Sequence, residues 1–400
     1  MTETHGADPE TFRGEARAWL AANFPPSLKG RGALMLAEGP APAGPDFQAW
    51  RCAMGEKGWG VPTWPAAYGG GGLTPTQAKV LAEEMAAIGA WSPIGGMGVM
   101  MFGPTLLEYG DEAQKRRHIP PIAKAQVRWC QGFSEPGAGS DLASLQTRCE
   151  DAGDHWLVNG QKVWTSGADH ADWCFCLVRT DPARKHDGIS FLLIDMRAPG
   201  VEVRPIRLIG GNSPFCETFF TDVKVAKENL VGPLGGGWSI AKRLLQHERN
   251  GLGGGRGVAG PPLAVLAKTY VGADPAGKIA DANLRVRIAA HEMEARAFQL
   301  TALRSMAEAR SNQAAGAASS IMKNVGTKVA QDRQELSLEI MGSQGLGWEG
   351  EGFSSGELAA VRAWLGGRAY TIYGGSAEIQ NNIIAKRILG LPDPIGAASH

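Results

Sequence analysis

Apolar residues in the first third of the chain recur every three or four positions, which is the spacing of amphipathic helices. The stretch TPTQAKVLAEEMAAIGA is the clearest case. Pro75 suits the first turn of a helix, and four apolar side chains then share one face: Val80, Leu81, Met85 and Ile88. Glycine-rich stretches such as YGGGGL separate the helical segments as loops. We therefore expect residues 1–127 to form an α-helical domain.

The spacing changes at about Arg128, where short runs rich in β-branched and aromatic residues begin. Turn-forming residues separate these runs, which are HWLV, QKVW, DWCFCLVR, ISFLLIDM, VEVRPI and CETFFTDVKV. This pattern predicts an antiparallel β-barrel or sandwich over residues 128–233. Between HWLV and QKVW, the pair Asn159-Gly160 favours a type I′ turn, so these two runs are predicted to form a β-hairpin.

Helical spacing returns after the glycine-rich stretch 233–237. Five apolar residues between positions 281 and 310 share one helical face: Leu284, Ile288, Ala295, Phe298 and Ala302. Another long helix is predicted over residues 314–341, and a last one near Ser376, whose hydroxyl suits an N-cap. Residues 234–400 are therefore expected to form a C-terminal α-helical bundle. The fold class is α+β, with helices, then a sheet, then helices.

Composition narrows the classes of partner. The 400-residue chain is 44% hydrophobic, and its 40 basic residues balance its 40 acidic ones. No net field therefore attracts nucleic acid or an anionic membrane. The first residues lack the pattern of a secretory signal, and the longest mostly apolar stretch, residues 93–107, is too short and glycine-rich to span a bilayer. Six dispersed cysteines, with Cys174 and Cys176 on one strand face, suggest small buried thiols in a reducing cytoplasm.

Two polar segments of the predicted β-domain carry candidate chemistry. The first is the turn-forming run EPGAGSD at residues 135–141. The second is Trp164-Thr165-Ser166, a flat ring beside two hydroxyls, which suits the face and the polar edge of a planar heteroaromatic ligand. The alternative is a polar turn and a strand that serve only the fold. By contrast, the GRGVAG motif at residues 255–260 follows polar residues instead of a strand and precedes two prolines, so it does not predict a dinucleotide site.

Together the two segments closely resemble the flavin-contacting segments of the acyl-CoA dehydrogenase family. The run FGPTLLEYGDEAQKRR at residues 102–117 resembles the family's helix leading into its β-domain. YGGSAEIQ at residues 373–380 and ILGLP at residues 388–392 resemble its C-terminal signature. The resemblance spans nearly the whole chain. It implies non-covalent FAD held between the β-domain and the C-terminal helices.

The resemblance also implies contact residues. Those toward FAD are Gln131, Phe133, Ser134, Ser140, Trp164, Thr165, Ser166, Ser376 and Glu378, with Glu339 and Ser343 near a segment that reaches the flavin of a neighbouring subunit. Those toward the acyl-CoA are Ser140, Gln246, Arg249 and Gly375. For Arg249 the alternative is a surface ion pair. The family's second cross-subunit element, Arg-x-x-Phe-Gly, is not evident at residues 268–278.

The catalytic base departs from the family's common pattern. Members remove the α-proton of an acyl-CoA with a glutamate while a β-hydride passes to the flavin, and that glutamate often directly precedes the glycine of the C-terminal signature. Here the position is Gly374, which has no side chain, although its N–H can still bond the thioester carbonyl. Other members carry the base in a Glu-Arg pair on a helix, which points to Glu248 beside Arg249. The alternative is an exposed glutamate without a chemical role.

The resemblance implies a dehydrogenase that introduces an α,β double bond into an acyl-CoA and passes electrons to an electron-transfer flavoprotein. A homotetramer, arranged as a dimer of dimers, is the implied assembly. An oxidase of the same fold and a catalytically silent subunit of a hetero-oligomer are the alternatives. Gly374 and the glycine-rich stretch 251–260 favour a branched, cyclic or bulky acyl group. Whether that stretch breaks its helix or clears space for the acyl group stays open.

Overall fold

The computed structural model describes residues 8–31, 44–252, 260–310 and 318–392. The chain divides into two compact units, residues 1–206 with 213–248 and residues 207–212 with 249–400. Each unit is described by itself. None of the described helices is both long enough and apolar enough to span a membrane.

The first unit begins with helices that start at capping residues or prolines. The helices are α1 (Pro9–Asn23), α2 (Pro45–Lys57), α3 (Pro75–Ile88), α4 (Gly103–Tyr109) and α5 (Glu112–Ala123). The predicted start of α3 at Pro75 is confirmed, and Thr74 and Gln77 close a capping box in front of it. The face carrying Val80, Leu81 and Met85 is buried, as its spacing predicts.

An eight-stranded sheet completes the first unit. Its strands are β1 (Trp129–Gly132), β2 (Arg148–Asp151), β3 (His155–Ser166), β4 (Trp173–Arg179), β5 (Ile189–Asp195), β6 (Val201–Ile206), β7 (Phe215–Ala226) and β8 (Leu230–Val231). The order is β6-β7-β3-β2-β4-β5-β8, with β1 paired to β4 in parallel. Most of the other pairs are antiparallel. The predicted sheet between two helical segments is thus present, with a parallel strand that the pattern did not predict.

The predicted hairpin turn at Asn159-Gly160 is wrong, because both residues lie inside the continuous twelve-residue strand β3. The register shifts there, so that β7 carries one residue more than β3. Asn159 bonds the extra residue, Asp222, through its amide oxygen (2.8 Å, to the main-chain N–H) and its amide nitrogen (3.0 Å, to the carboxylate). The turn into β3 instead contains Gly153, whose φ of 91° suits glycine. Pairing with β7 along the whole strand outweighs the local turn preference.

The N-terminal helices and the sheet share one apolar core. Phe102, at the start of α4, lies with its ring centroid 3.9 Å from that of Trp129 and 5.5 Å from that of Phe175. Cys174 and Cys176 of β4 are fully buried, and all six cysteines are free thiols. This packing of Phe102 against β1 and β4 fixes the position of β1, and the candidate site begins in the loop that follows β1.

His118 of α5 is buried in this core, and we expect it to make stability depend on pH. Its ring lies edge-on to Trp129 (5.2 Å) and Trp173 (5.0 Å). Burial, helped by the charge of Arg117, lowers the pKa of His118 from 6.5 to about 4. The unfolded chain therefore takes up a proton as pH falls below 6.5, while the native protein does not until about pH 4.

Native stability should accordingly fall by up to about 3 kcal/mol through this one group as pH drops across that window. A His118→Phe variant keeps an aromatic ring and has nothing to protonate. The free energy of unfolding is measured with denaturant at about pH 7 and at about pH 4. Between these two pH values, that of the wild type should fall by about 3 kcal/mol more than that of the variant. An equal fall in both proteins would contradict the role of His118.

Further helices follow the sheet in the chain; most of the first one belongs to the first unit, and the others belong to the second. They are α6 (Gly237–Leu252), α7 (Leu263–Tyr270), α8 (Ala282–Arg310), α9 (Ala318–Met341), α10 (Ser355–Gly367) and α11 (Ala377–Ile383). A core between α7, α8 and α9 contains Leu263, Leu284, Ile288, Leu336 and Ile340. The predicted apolar face of α8 is thus buried at its first two turns. The predicted end of α9 at position 341 is confirmed, and positions 314–317 lie outside the described residues.

Candidate functional site

The loop after β1 is fixed directly onto β3. The main-chain N–H of Val163 donates to the carbonyl of Ser134 at 2.9 Å. Glu135 and Ala138 exchange two main-chain hydrogen bonds of 3.0 Å, which closes a tight turn around Pro136. The two segments that the sequence singles out, residues 135–141 and Trp164-Thr165-Ser166, therefore begin next to each other in the fold.

A buried ion pair reinforces this attachment. The ammonium of Lys162, a side chain with no exposed surface, lies 2.7 Å from Oε1 of Glu135 and donates to the carbonyl of Phe133 at 3.2 Å. The carboxylate of Glu135 also accepts the main-chain N–H groups of Gln146 (2.6 Å) and Thr147 (2.8 Å). Burial acts to raise the pKa of Glu135, but the charge and hydrogen bond of Lys162 prevail and hold it below its usual value.

Trp164 follows Lys162 by two positions and has an unusual backbone. Its φ is 61°, in the left-handed region that costs a non-glycine residue about 1–2 kcal/mol. The register also shifts here. Three residue steps along β3, from Lys162 to Thr165, lie opposite two residue steps along β7, so β3 contains a bulge at this point. The indole is 54% exposed and touches Phe215 only edge-on, with ring centroids 6.0 Å apart. An exposed ring on a strained bulge is typical of a binding site.

The other predicted residues of the first unit divide into two groups. Gln131, Ser134 and Ser166 are half-buried and Ser140 is exposed, so each has surface available to a ligand. Phe133 and Thr165 have buried side chains, so their contact with FAD stays a prediction that would involve the main chain. Phe133 packs its ring edge-on against Phe175 and Phe191 in the core, and Thr165 is fully buried by the alternation of β3.

The surface that remains fits a planar heteroaromatic cofactor. It offers the exposed indole face of Trp164 for stacking, and the hydroxyls of Ser134 and Ser166 and the amide of Gln131 for a polar edge. Main-chain bonds and a buried ion pair hold these groups before any ligand arrives. In the described part of the chain, no group of three or more His, Cys, Asp or Glu side chains is arranged to hold a metal ion.

The C-terminal signature forms a glycine turn in front of α11. Gly374 and Gly375 have φ values of 63° and 91°, and the side chain of the buried Gln380 donates to the carbonyl of Gly374 at 3.4 Å. Ser376 caps α11 by accepting the main-chain N–H of Ile379, as predicted. The carboxylate of Glu378 is exposed, and hydrogen bonds from its own N–H and from Ser376, with the nearby Lys323, hold its pKa below the usual value.

The predicted cross-subunit residues lie at the end of α9. Glu339 forms an ion pair with Arg287 of α8, with 2.6 Å between Oε2 and Nη2. The hydrogen bond with Arg287 lowers the pKa of Glu339. Ser343 is exposed in the turn Gly342–Leu346 that follows. A shallow cleft lies beside this turn, lined by Leu338, Glu339, Gly342, Gly345, Leu346, Val361 and Trp364.

The predicted base and two of the predicted acyl-CoA contacts, Gln246 and Arg249, lie on α6. Gln246 is exposed and accepts a hydrogen bond from Arg243 at 3.1 Å, and Arg243 pairs with Glu108. Glu248 and Arg249 belong to the same helix by their backbone, but their side chains lie outside the described residues. The motif GRGVAG also lies outside them, except for its last glycine.

Reasoning from the sequence missed Lys162 and Glu135 as a pair. A signal was present in the alternation of β3, where Trp156, Val158 and Lys162 occupy buried positions. A lysine on the buried face of a strand requires a partner, because an unpaired buried charge is costly. Which acid supplies it is a matter of tertiary structure, since Glu135 is 27 positions away in sequence.

Models of three protein-family domains match the chain. They are the acyl-CoA dehydrogenase N-terminal domain at residues 7–126, the middle domain at residues 130–223 and the C-terminal domain at residues 235–389. The acyl-CoA dehydrogenase IpdE1 of Mycobacterium tuberculosis is 37% identical over 396 residues, which cover 96% of this chain and 98% of that protein.

Solved structures are similar over the same length. The Tcur3481-Tcur3483 steroid ACAD is 30% identical, with a TM-score of 0.76, and the match covers 98% of this chain and 100% of that chain. The ChsE4-ChsE5 complex from Mycobacterium tuberculosis is 29% identical, with a TM-score of 0.73 and coverage of 98% and 100%.

Proposed function

Because the chain belongs to the acyl-CoA dehydrogenase family, whose members bind FAD, we propose that it introduces an α,β double bond into an acyl-CoA thioester. Electrons then leave through an electron-transfer flavoprotein. The family identifies the protein as a flavin-dependent CH–CH oxidoreductase. One observation supports assigning this function to particular residues. Trp164 presents an exposed indole on a strained bulge, beside the loop that contains Ser134.

The proposed roles follow from the chemistry of each group. When bound, FAD supplies an acceptor for the hydride that leaves the β-carbon of the acyl group. Trp164 stacks against the cofactor, and Ser134 and Ser166 meet its polar edge. Glu248 takes the α-proton, while the N–H of Gly374 bonds the thioester oxygen as negative charge develops there. Glu378 is the weaker candidate for the base, because its lowered pKa makes it less basic than an ordinary glutamate.

The substrate class we propose is a bulky acyl-CoA, with a steroid-derived acyl group as the first choice. Two observations support it. A solved relative covering this chain almost completely is a steroid ACAD. In addition, Gly374 stands at the common base position, and the missing side chain leaves room where other members have that of a glutamate.

A screen of acyl-CoA thioesters tests the substrate and the acceptor together. Straight-chain, branched and steroid-derived thioesters are offered to the purified FAD-loaded protein with a dye acceptor, and again with oxygen as the sole acceptor. We expect turnover with the dye and the bulkiest thioesters. Turnover with oxygen at the same rate would favour the oxidase alternative, and reduction by no thioester would overturn the proposal.

Trp164→Ala should weaken FAD binding by up to about tenfold, because an aromatic stack is lost. The ring is exposed, so the apoprotein should keep its stability. Trp164→Gly loses the same ring but relieves the left-handed backbone, and should unfold at a higher temperature than Trp164→Ala. Trp164→Phe, which keeps an aromatic face, should retain most of the affinity. FAD titration and thermal unfolding of all three variants measure this, and wild-type FAD affinity in Trp164→Ala would contradict the stacking role.

The outer face of α8 supports the proposed homotetramer. Four apolar side chains spaced along this helix are more than half exposed: Val286, Met293, Leu300 and Leu303. Three of them are seven residues apart and therefore lie along one stripe. Such a stripe is typical of a surface that packs against another chain.

Sedimentation of the purified chain tests the assembly. We expect a tetramer, and Met293→Glu together with Leu300→Glu should dissociate it by placing charges in the stripe. A stable and fully active monomer would contradict the proposal. Two solved relatives are named as pairs of chains, so a requirement for a second, different chain for FAD binding or turnover would instead favour the hetero-oligomer alternative.

A further inference from the structure

We propose that the buried pair Lys162–Glu135 is a positioning device that sets the distance between the two segments facing FAD. The inference rests on the proposed function, because it takes Ser134 and Trp164 as cofactor contacts. It goes beyond that function in assigning a role to two residues whose side chains are buried in the protein interior.

Lys162, on the strand that leads to Trp164, bonds two residues of the loop that contains Ser134. Its ammonium donates to the carbonyl of Phe133 and to the carboxylate of Glu135, which flank Ser134 on either side. The next residue along β3, Val163, donates its N–H to the carbonyl of Ser134 itself. Three consecutive residues of the loop are thus tied to two consecutive residues of the strand.

Glu135 extends the connection to a third segment. Its two carboxylate oxygens accept the N–H groups of Gln146 and Thr147, which lead into β2. The loop containing Ser140 lies between these contacts, so its two ends are held by a single carboxylate. Movement of Glu135 would displace both ends of that loop together.

The strained bulge depends on the same anchor. Trp164 keeps a left-handed backbone only if its surroundings outweigh the cost, and the residues just before it supply the restraint. With Lys162 and Val163 fixed to the loop, the indole can project from β3 beside Ser134 instead of relaxing into the regular strand. The ion pair thereby fixes the orientation of the stacking ring.

Variants of both partners distinguish a positioning role of the ion pair from a role in stability alone. Lys162→Met or Glu135→Gln alone leaves one buried group without its partner, and each should lower the melting temperature. The double variant Lys162→Met/Glu135→Gln contains no unpaired charge and should recover much of that loss. Lys227→Met is the matched control, because it removes another lysine ion pair, between the partly exposed Lys227 and Asp151 of β2.

FAD titration of the apoproteins and the visible absorption spectrum of the bound flavin are the measurements. We expect the double variant to bind FAD at least about tenfold more weakly than the wild type, with shifted flavin bands, although its stability has recovered. Lys227→Met should match the wild type in both. If the pair contributed only to stability, the double variant would recover the wild-type FAD affinity and flavin spectrum along with its stability.

The inference is overturned if the double variant binds FAD with wild-type affinity and spectrum, or if Lys227→Met weakens binding as much. Failure of the wild type itself to bind FAD would instead overturn the proposed function and this inference with it. If the single variants do not fold, the double variant alone decides the matter. If the double variant is also unfolded, the conservative variant Glu135→Asp, which keeps the charge but shortens its reach, must show the weakened affinity for the inference to stand.

Discussion

Glu248→Gln should lower the rate of flavin reduction by a cognate acyl-CoA by a factor of about 100 or more, the usual scale for losing a positioned base. The amide keeps the shape of the side chain and loses its basicity. The variant should therefore still bind FAD and still bind acyl-CoA. Rapid mixing of the FAD-loaded variant with substrate, followed by the bleaching of flavin absorbance, measures the rate directly.

The expectation rests on what the family's common base position lacks in this chain. Gly374 has no side chain to act as a base, and its φ of 63° is one that glycine adopts without strain. Glu378 has a carboxylate whose pKa is held low by hydrogen bonds at the start of α11. An efficient base has a pKa near the working pH, which favours a carboxylate desolvated by substrate and flavin.

Two companion variants test the assignment to Glu248. Glu378→Gln should leave flavin reduction within a few-fold of wild type, provided FAD remains bound. Gly374→Glu in the Glu248→Gln background should restore only part of the rate, because a side chain at this left-handed position costs about 1–2 kcal/mol. Native flavin reduction in Glu248→Gln would show that the assignment is wrong, and loss of reduction in Glu378→Gln would move the base there.

Arg249→Ala should weaken the binding of acyl-CoA thioesters by about 10- to 150-fold, which corresponds to one lost charge-assisted contact of about 1.5–3 kcal/mol. CoA carries phosphate groups, and the guanidinium fork matches phosphate oxygens better than an ammonium does. Arg249→Lys should therefore recover part of the affinity. Titration of each FAD-loaded variant with a CoA thioester gives the dissociation constants.

Arg197→Ala serves as the matched control for this loss. Arg197 is an exposed arginine of the first unit, paired with Asp172, and removing it changes the net charge by the same amount. The affinity of the Arg197→Ala variant for CoA thioesters should equal that of the wild type. Unchanged binding in Arg249→Ala would mean that Arg249 forms a surface ion pair and has no part in substrate recognition.

The spacing of apolar residues predicts the order of helices, sheet and helices because each element must bury one face. Val80, Leu81 and Met85 are buried where a helical period requires, and Ser376 caps the helix that it was expected to cap. These features depend on residues close together in the chain, so the sequence alone is sufficient to predict them. The role of Trp164 as a ring that meets a ligand stays a prediction, and its indole is exposed, as that role requires.

Only the tertiary structure decided what depends on partners far apart in sequence. Asn159-Gly160 has the local preference of a turn, yet pairing with β7 keeps it inside β3 and places the extra residue at Asp222. The buried charge of Lys162 finds Glu135 across 27 positions, and the strain at Trp164 exists because β3 bulges against β7. Local preferences specify which element each segment forms. Long-range pairing decides where those elements are distorted, and in this protein one of the two distortions, the bulge at Trp164, lies at the candidate site.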